Sequence, residues 1–210
     1  MKIHILSFLL TVFISFQINA QDSLELNSLL DELESKEIKD IPLLPENFLI
    51  TQKVFWGKKG LMRSFNNFKL TPENRQKELK VRKSMLKVHQ YLGFVTLGGM
   101  LAQGIIGSQL YTGNMSLRNA HENMGKVVNI SYFSTAAIPL FSPPKMFKER
   151  KGLSNIKVHK ILAVIHFSSM VATNILSHKI DTNYNLKRYH RAAAYTAFGS
   201  YAASMIVIKF

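Results

Sequence analysis

KVHQYLGFVTLGGMLAQGIIGSQLY, from Lys87 to Tyr111, decides how this chain folds. Its part from Leu92 to Tyr111 carries no charge over 20 residues, about the length a helix needs to cross a hydrocarbon layer. Three more apolar runs follow. Val127–Phe141 is uncharged over 15 residues and extends back to about His121; Ile161–Ser177 and Ala192–Ile208 are each uncharged over 17. Breakers lie between them: Gly113-Asn114, Pro143-Pro144, Gly152 and Asp181-Thr182-Asn183. Short connections set neighbouring helices antiparallel. The pattern predicts an all-α fold, a transmembrane antiparallel four-helix bundle with a short N-terminal helical extension. Gly93, Gly98, Gly99, Gly104 and Gly107 suit close helix contact in lipid.

The same stretch returns later in the chain. Lys87-Val88-His89-Gln90-Tyr91-Leu92-Gly93 lies over Lys157-Val158-His159-Lys160-Ile161-Leu162-Ala163 at an offset of 70. Met100 then matches Met170, Ala102 matches Ala172 and Ile105 matches Ile175, so seven of 20 positions are identical. The second and fourth runs match more weakly, His121 over His190 and Gly125 over Ala194. The bundle is therefore two duplicated helical hairpins. Each helix opens on His with Gly or Ala four residues later.

Upstream, residues 1–20 carry a lysine near the start, an apolar core from Ile3 to Ile18 and Ile18-Asn19-Ala20 before Gln21, the pattern of a secretory signal peptide. His4 is excluded from the fold on that ground. Residues 21–81 form a polar and interfacial segment. It holds an acidic helix with Leu26, Leu29, Leu30 and Leu33 on one face, broken at Ile41-Pro42-Leu43-Leu44-Pro45. Phe48–Trp56 is too short to span and reads as an interfacial or packing segment anchored by Trp56. Thr71-Pro72-Glu73-Asn74 starts a helix that runs on into the membrane. Residues 82–210 are the four-helix core.

The net charge is +14, and ten of the 13 acidic residues precede Leu79. The basic residues lie between apolar runs, so they meet lipid headgroups and not nucleic acid. With no cysteine, disulfides, iron–sulfur clusters, c-type haem and thiolate zinc are excluded.

Alternating helix directions put His89 and His159 near one membrane face, His121 and His190 near the other. Two facing imidazoles supply both axial ligands of one haem iron. A small residue one turn deeper (Gly93, Gly125, Ala163, Ala194) spares a flat macrocycle a clash. The arrangement predicts two b-type haems, with His89, His159, His121 and His190 as iron ligands. His166, seven residues after His159, is a substitute ligand, a hydrogen-bonding core residue or a lining of the gap between haems. His178 reads as interfacial. Lys87, Lys157, Lys126, Arg188 and Arg191 flank the sites, where they pair with haem propionates or anchor helix ends. Gln103, Asn129 and Asn174 tune the sites or bond helix to helix.

His89-Gln90-Tyr91-Leu92-Gly93 and His121-Glu122-Asn123-Met124-Gly125, in a four-helix setting, resemble the cytochrome b561 superfamily. The resemblance covers roughly residues 82–210. It implies a dihaem core in which first and third helices ligate one haem, second and fourth the other. The pairs are then His89 with His159 and His121 with His190, in an electron-transfer protein or transmembrane oxidoreductase.

No nucleotide or flavin fingerprint is present, so electrons come from a separate quinol or redox-protein donor. The expected partners are this donor, its acceptor, membrane lipid and a second copy of the chain. A haem-free membrane scaffold or assembly subunit is the rival. A histidine-box metalloenzyme lacks its HxxxH or HxxHH motif, and a proton-coupled transporter lacks a carboxylate within its spans. The signal peptide places the chain in a bacterial inner membrane with the N-terminal segment outside. The richer basic charge beside His89 and His159 argues for the reverse orientation.

Overall fold

The computed structural model describes residues 42–146 and 154–209. The expected signal peptide and acidic helix lie outside the described residues. The described residues form one compact unit.

Among the described residues the chain is all-helical, with five α-helices: α1 (Ile50–Trp56), α2 (Pro72–Tyr111), α3 (Arg118–Phe141), α4 (Asn155–Ser177) and α5 (Leu186–Lys209). Three single 3-10 turns, Leu61–Ser64, Asn66–Phe68 and Met115–Leu117, join them. The Thr71 side chain accepts from the Asn74 N–H at the start of α2, and Pro72 fills the first turn, where its missing donor costs nothing. Ser154 caps α4 in the same way through the Lys157 N–H. Gly113 turns the chain after α2 at a φ of 108°, a conformation that favours glycine.

The 40 residues of α2 extend about 60 Å at roughly 1.5 Å per residue. The domain boundary expected at residues 81/82 falls inside this helix. Its charged first half stands beyond the apolar run, and residues 49–71 wrap that end. Glu78, fully buried, receives both the Arg63 and the Arg75 guanidinium. Arg75 also reaches the Pro144 carbonyl at 3.0 Å, and Arg82 donates to Ser142 Oγ and the Pro143 carbonyl.

Helix α1 closes the end of α3. A helix leaves its last carbonyls without donors. Here Gln52 donates to Pro139 O at 3.3 Å, Thr51 to Leu140 O at 2.6 Å and Trp56 Nε1 to Phe141 O at 2.9 Å. Trp56 is buried, so of the two roles open to it the structure assigns packing.

The four long helices lie antiparallel to their chain neighbours. On α2 and α3, Gln103 meets His121, Gly99 meets Val128 and Thr96 meets Ser131 and Thr135. Helices α4 and α5 form the second hairpin, and Gly93 against Tyr201 joins α2 to α5. Between α3 and α4, the Asn129 and Asn174 amides bond reciprocally at 2.7 and 3.0 Å.

The core repeats the duplication. Its buried members are Met100 with Met170, Val128 with Ala197 and Tyr132 with Tyr201. Each pair occupies equivalent positions, at an offset of 70 between the first and third long helices and 69 between the second and fourth. Around this core the usual polarity is inverted. Thr96, Thr135 and Ser204 are buried, while Val95 is 66% exposed, Ile130 71% and Val164 67%. Among the described residues two helices, α2 and α4, are long and apolar enough to cross a membrane. Sequence reading expected four such spans. α3 carries Glu122 and Lys126 in its first turns, and α5 starts on Lys187, Arg188 and Arg191 and then intersperses Tyr195, Thr196, Ser200, Tyr201 and Ser204 among its apolar residues, which lowers the hydropathy of both.

Candidate functional site

Each long helix carries one histidine near its apolar boundary, and the packing brings the four together in twos. The His89 and His159 ring centroids are 6.4 Å apart with planes at 89°. Those of His121 and His190 are 6.3 Å apart at 76°. Rings in direct contact in the neighbouring core, among Tyr132, His166 and Tyr201, stand closer, at 5.0–5.7 Å.

Backbone carbonyls orient three of the four rings. His89 Nδ1 lies 2.8 Å from Thr135 O, His159 Nδ1 3.0 Å from Ser204 O and His190 Nδ1 2.9 Å from Thr173 O. A carbonyl only accepts, so Nδ1 holds the proton and the Nε2 lone pair is left available. The duplication carries these bonds with it: Thr135 and Ser204 are equivalent positions, as are Gln103 and Thr173.

His121 departs from the pattern. The Gln103 amide nitrogen donates to the His121 carbonyl at 3.0 Å and sits 3.2 Å from Nδ1. The Gln103 Oε1 is buried with no partner. A Cβ on Gly107 would come within 2.8 Å of His121 Cε1. Glycine there admits the ring, a role that sequence reading assigned only to helix contact.

The small residues expected to clear a macrocycle have neighbours. Beside Gly93 stand the Tyr201 hydroxyl, which donates to the Gly93 carbonyl at 3.2 Å, and the Met205 methyl. Beside Gly125 stands the Gln103 amide. Ala163 and Ala194 are half-buried in the second hairpin.

His166 is buried, with Nδ1 2.6 Å from the Tyr132 hydroxyl. Of its three expected roles, this geometry is the core hydrogen bond. His178 is exposed just past α4. Among the described residues no three His, Cys, Asp or Glu side chains converge as a metal-binding group; the imidazoles meet only as pairs.

Beside the His121/His190 pair, cations lie over tyrosine rings. Lys187 sits 4.5 Å from the Tyr111 centroid and 5.0 Å from that of Tyr184. Arg191 is 4.4 Å from Tyr111 and 5.3 Å from Tyr195, and Arg188 is 4.7 Å from Tyr189. Lys87 and Lys126 are exposed.

The chain matches no family model, no curated protein and no solved structure.

Proposed function

We propose that this chain is a transmembrane b-type dihaem cytochrome, built on a four-helix membrane bundle and resembling the cytochrome b561 superfamily. The spacing of the two histidine pairs carries the reading. An imidazole nitrogen binds a transition metal at about 2 Å, with the ring centre roughly 1 Å further back. Two rings gripping one ion from opposite sides therefore stand about 6 Å apart, centre to centre. The observed 6.4 and 6.3 Å match that span. The three carbonyl-bonded Nδ1 groups add the outer-sphere support that metal-bound histidines usually have.

Haem, when bound, supplies a one-electron couple. When bound, the irons would be held by His89 with His159 and by His121 with His190, beside a core of Met100, Met170, Tyr132 and Tyr201, with the carbonyls of Thr135, Ser204 and Thr173 setting three of the ring orientations and His121 first having to release the Gln103 amide. Seating a macrocycle requires Tyr201, Met205 and Gln103 to turn aside from Gly93 and Gly125. The apolar outer surface and buried polar interior support a bilayer setting, since lipid rewards the inversion that water penalises. The donor is a quinol or a redox protein, and the membrane a bacterial inner membrane with the N-terminal segment, residues 21–81, on the outer side.

A haem-free scaffold is the second reading, favoured by the Tyr201 hydroxyl and the Gln103 amide beside the two glycines. An optical spectrum of the purified, dithionite-reduced protein, with its pyridine haemochrome, separates the two. Two protohaems per chain support the cytochrome; a colourless protein from haem-replete cells leaves the scaffold.

A further inference from the structure

We infer that His89 and His159, with Met205 beside them, form a site for one soft monovalent metal ion, Cu(I). The inference is independent of the cytochrome reading: it takes the packing as it stands, and haem and a bare ion cannot share this pair.

The two rings are prepared for a metal. The carbonyls of Thr135 and Ser204 hold Nδ1 of His89 and His159 at 2.8 and 3.0 Å, so each neutral ring keeps its Nε2 lone pair for a ligand bond. The ring centres lie 6.4 Å apart. That is the span of a single ion held between two opposed imidazoles, at about 2 Å from each nitrogen. The planes cross at 89°. An ion with two opposed ligands is indifferent to rotation about their common axis, so crossed rings cost it nothing.

A soft donor stands beside the pair. Met205 follows Ser204, whose carbonyl orients His159. The Met205 methyl lies 3.9 Å from where a Cβ on Gly93 would stand, one turn deeper than His89. Met205 and the Tyr201 hydroxyl thus take the space beside Gly93. A macrocycle needs that space. An ion needs only the interval between the rings, toward which the thioether can turn.

The donors select the ion. Two imidazoles and a thioether are all neutral, and among the described residues no third His, Cys, Asp or Glu joins them. Zn(II) asks for four ligands and hard cations for oxygen. The electrostatic cost of burying an ion rises with the square of its charge, so neutral ligands at depth favour one charge over two. Thioether and imidazole suit Cu(I), which is content with two or three ligands.

The second pair supplies an internal control. Its rings stand 6.3 Å apart, but the Gln103 amide nitrogen lies 3.2 Å from Nδ1 and 3.4 Å from Nε2 of His121. An amide N–H turned to a ring lone pair engages the electrons that a metal would use. The chain therefore takes one ion and not two.

The test is an anaerobic titration of the full-length protein in detergent with Cu(I), against a chromophoric Cu(I) chelator, with Zn(II) for comparison. One Cu(I) per chain is expected, and none in His89→Ala or His159→Ala. His121→Ala and His190→Ala should keep it. X-ray absorption should show low-coordinate Cu(I) with nitrogen and sulfur neighbours, and Met205→Leu should lose the sulfur while keeping the nitrogens. If His89→Ala and His159→Ala misfold, Ag(I) on 15N-histidine-labelled wild type keeps the idea testable: two Nε2 resonances should move, and the same two in His121→Ala. Cu(I) retained by His89→Ala, sulfur surviving Met205→Leu, two ions per chain, or Zn(II) bound as tightly would overturn the inference. A wild type that carries two haems and takes no Cu(I) would also overturn it, with the cytochrome reading left standing. A colourless wild type that takes one Cu(I) supports it and brings down that reading instead; a colourless one that takes none ends both.

Discussion

At the scale of single residues, a histidine becomes useful when its far nitrogen is tied down. Three carbonyls do this for His89, His159 and His190, and each ring is thereby committed to one tautomer. The fourth ring depends on a glycine. Gly107→Ala would push a methyl into His121 Cε1, since a Cβ there lies 2.8 Å away and real contacts of this kind are essentially unknown. The expected result is loss of about half of the bound haem with little loss of fold, because the ring can swing outward at a cost near that of one strained rotamer, roughly 1 kcal/mol. Haem content per chain, measured beside circular dichroism, checks it. Gly107 was visible in the sequence only as one small residue among several. Its special position depends on how α2 and α3 approach each other, which no local pattern encodes. The four ligand candidates were legible because duplication placed each His at a helix opening. Their hydrogen-bond partners were not, since Thr135 and Ser204 lie 46 and 45 residues away from the rings they orient.

At the scale of elements, apolar runs announce the long helices, and the caps at Thr71 and Gly113 mark their ends. The charged half of α2 has no apolar run and is announced only by its start at Thr71-Pro72. It is rich in Glu, Lys, Arg and Gln, which favour helix, and its place is fixed by Glu78 between Arg63 and Arg75. Removing one member of a buried ionic cluster leaves an uncompensated charge, typically costing about 3–5 kcal/mol. Glu78→Gln should therefore loosen residues 57–71 and lower the unfolding temperature in detergent. Limited proteolysis should cut that segment several times faster than in wild type, and equal rates would remove the cluster from its structural role. Trp56 shows a different limit of sequence reading. An indole near a membrane run suits an interface or an interior equally, and only the nearby Phe141 carbonyl decides for the interior.

At the scale of the whole molecule, the duplication seen in one strand of text reappears as paired core residues. Met100 with Met170, Val128 with Ala197 and Tyr132 with Tyr201 are each one position used twice. The copies differ where function can be asymmetric: Pro139 against Ile208, Gln103 against Thr173 and Thr96 against His166. The inverted polarity of the packed helices predicts that the protein stays in the membrane pellet after alkaline carbonate and enters solution only with detergent. Release by carbonate would place it outside the bilayer. The central claim, however, is that the imidazoles act in twos. The most direct measurement is haem content in His89→Ala, His159→Ala and the double variant, set against His121→Ala and His190→Ala. One haem should remain in every one of them, the double included, with the same spectral component lost from His89→Ala as from His159→Ala. A double variant that keeps both haems, or single variants of one pair that lose different components, would contradict it.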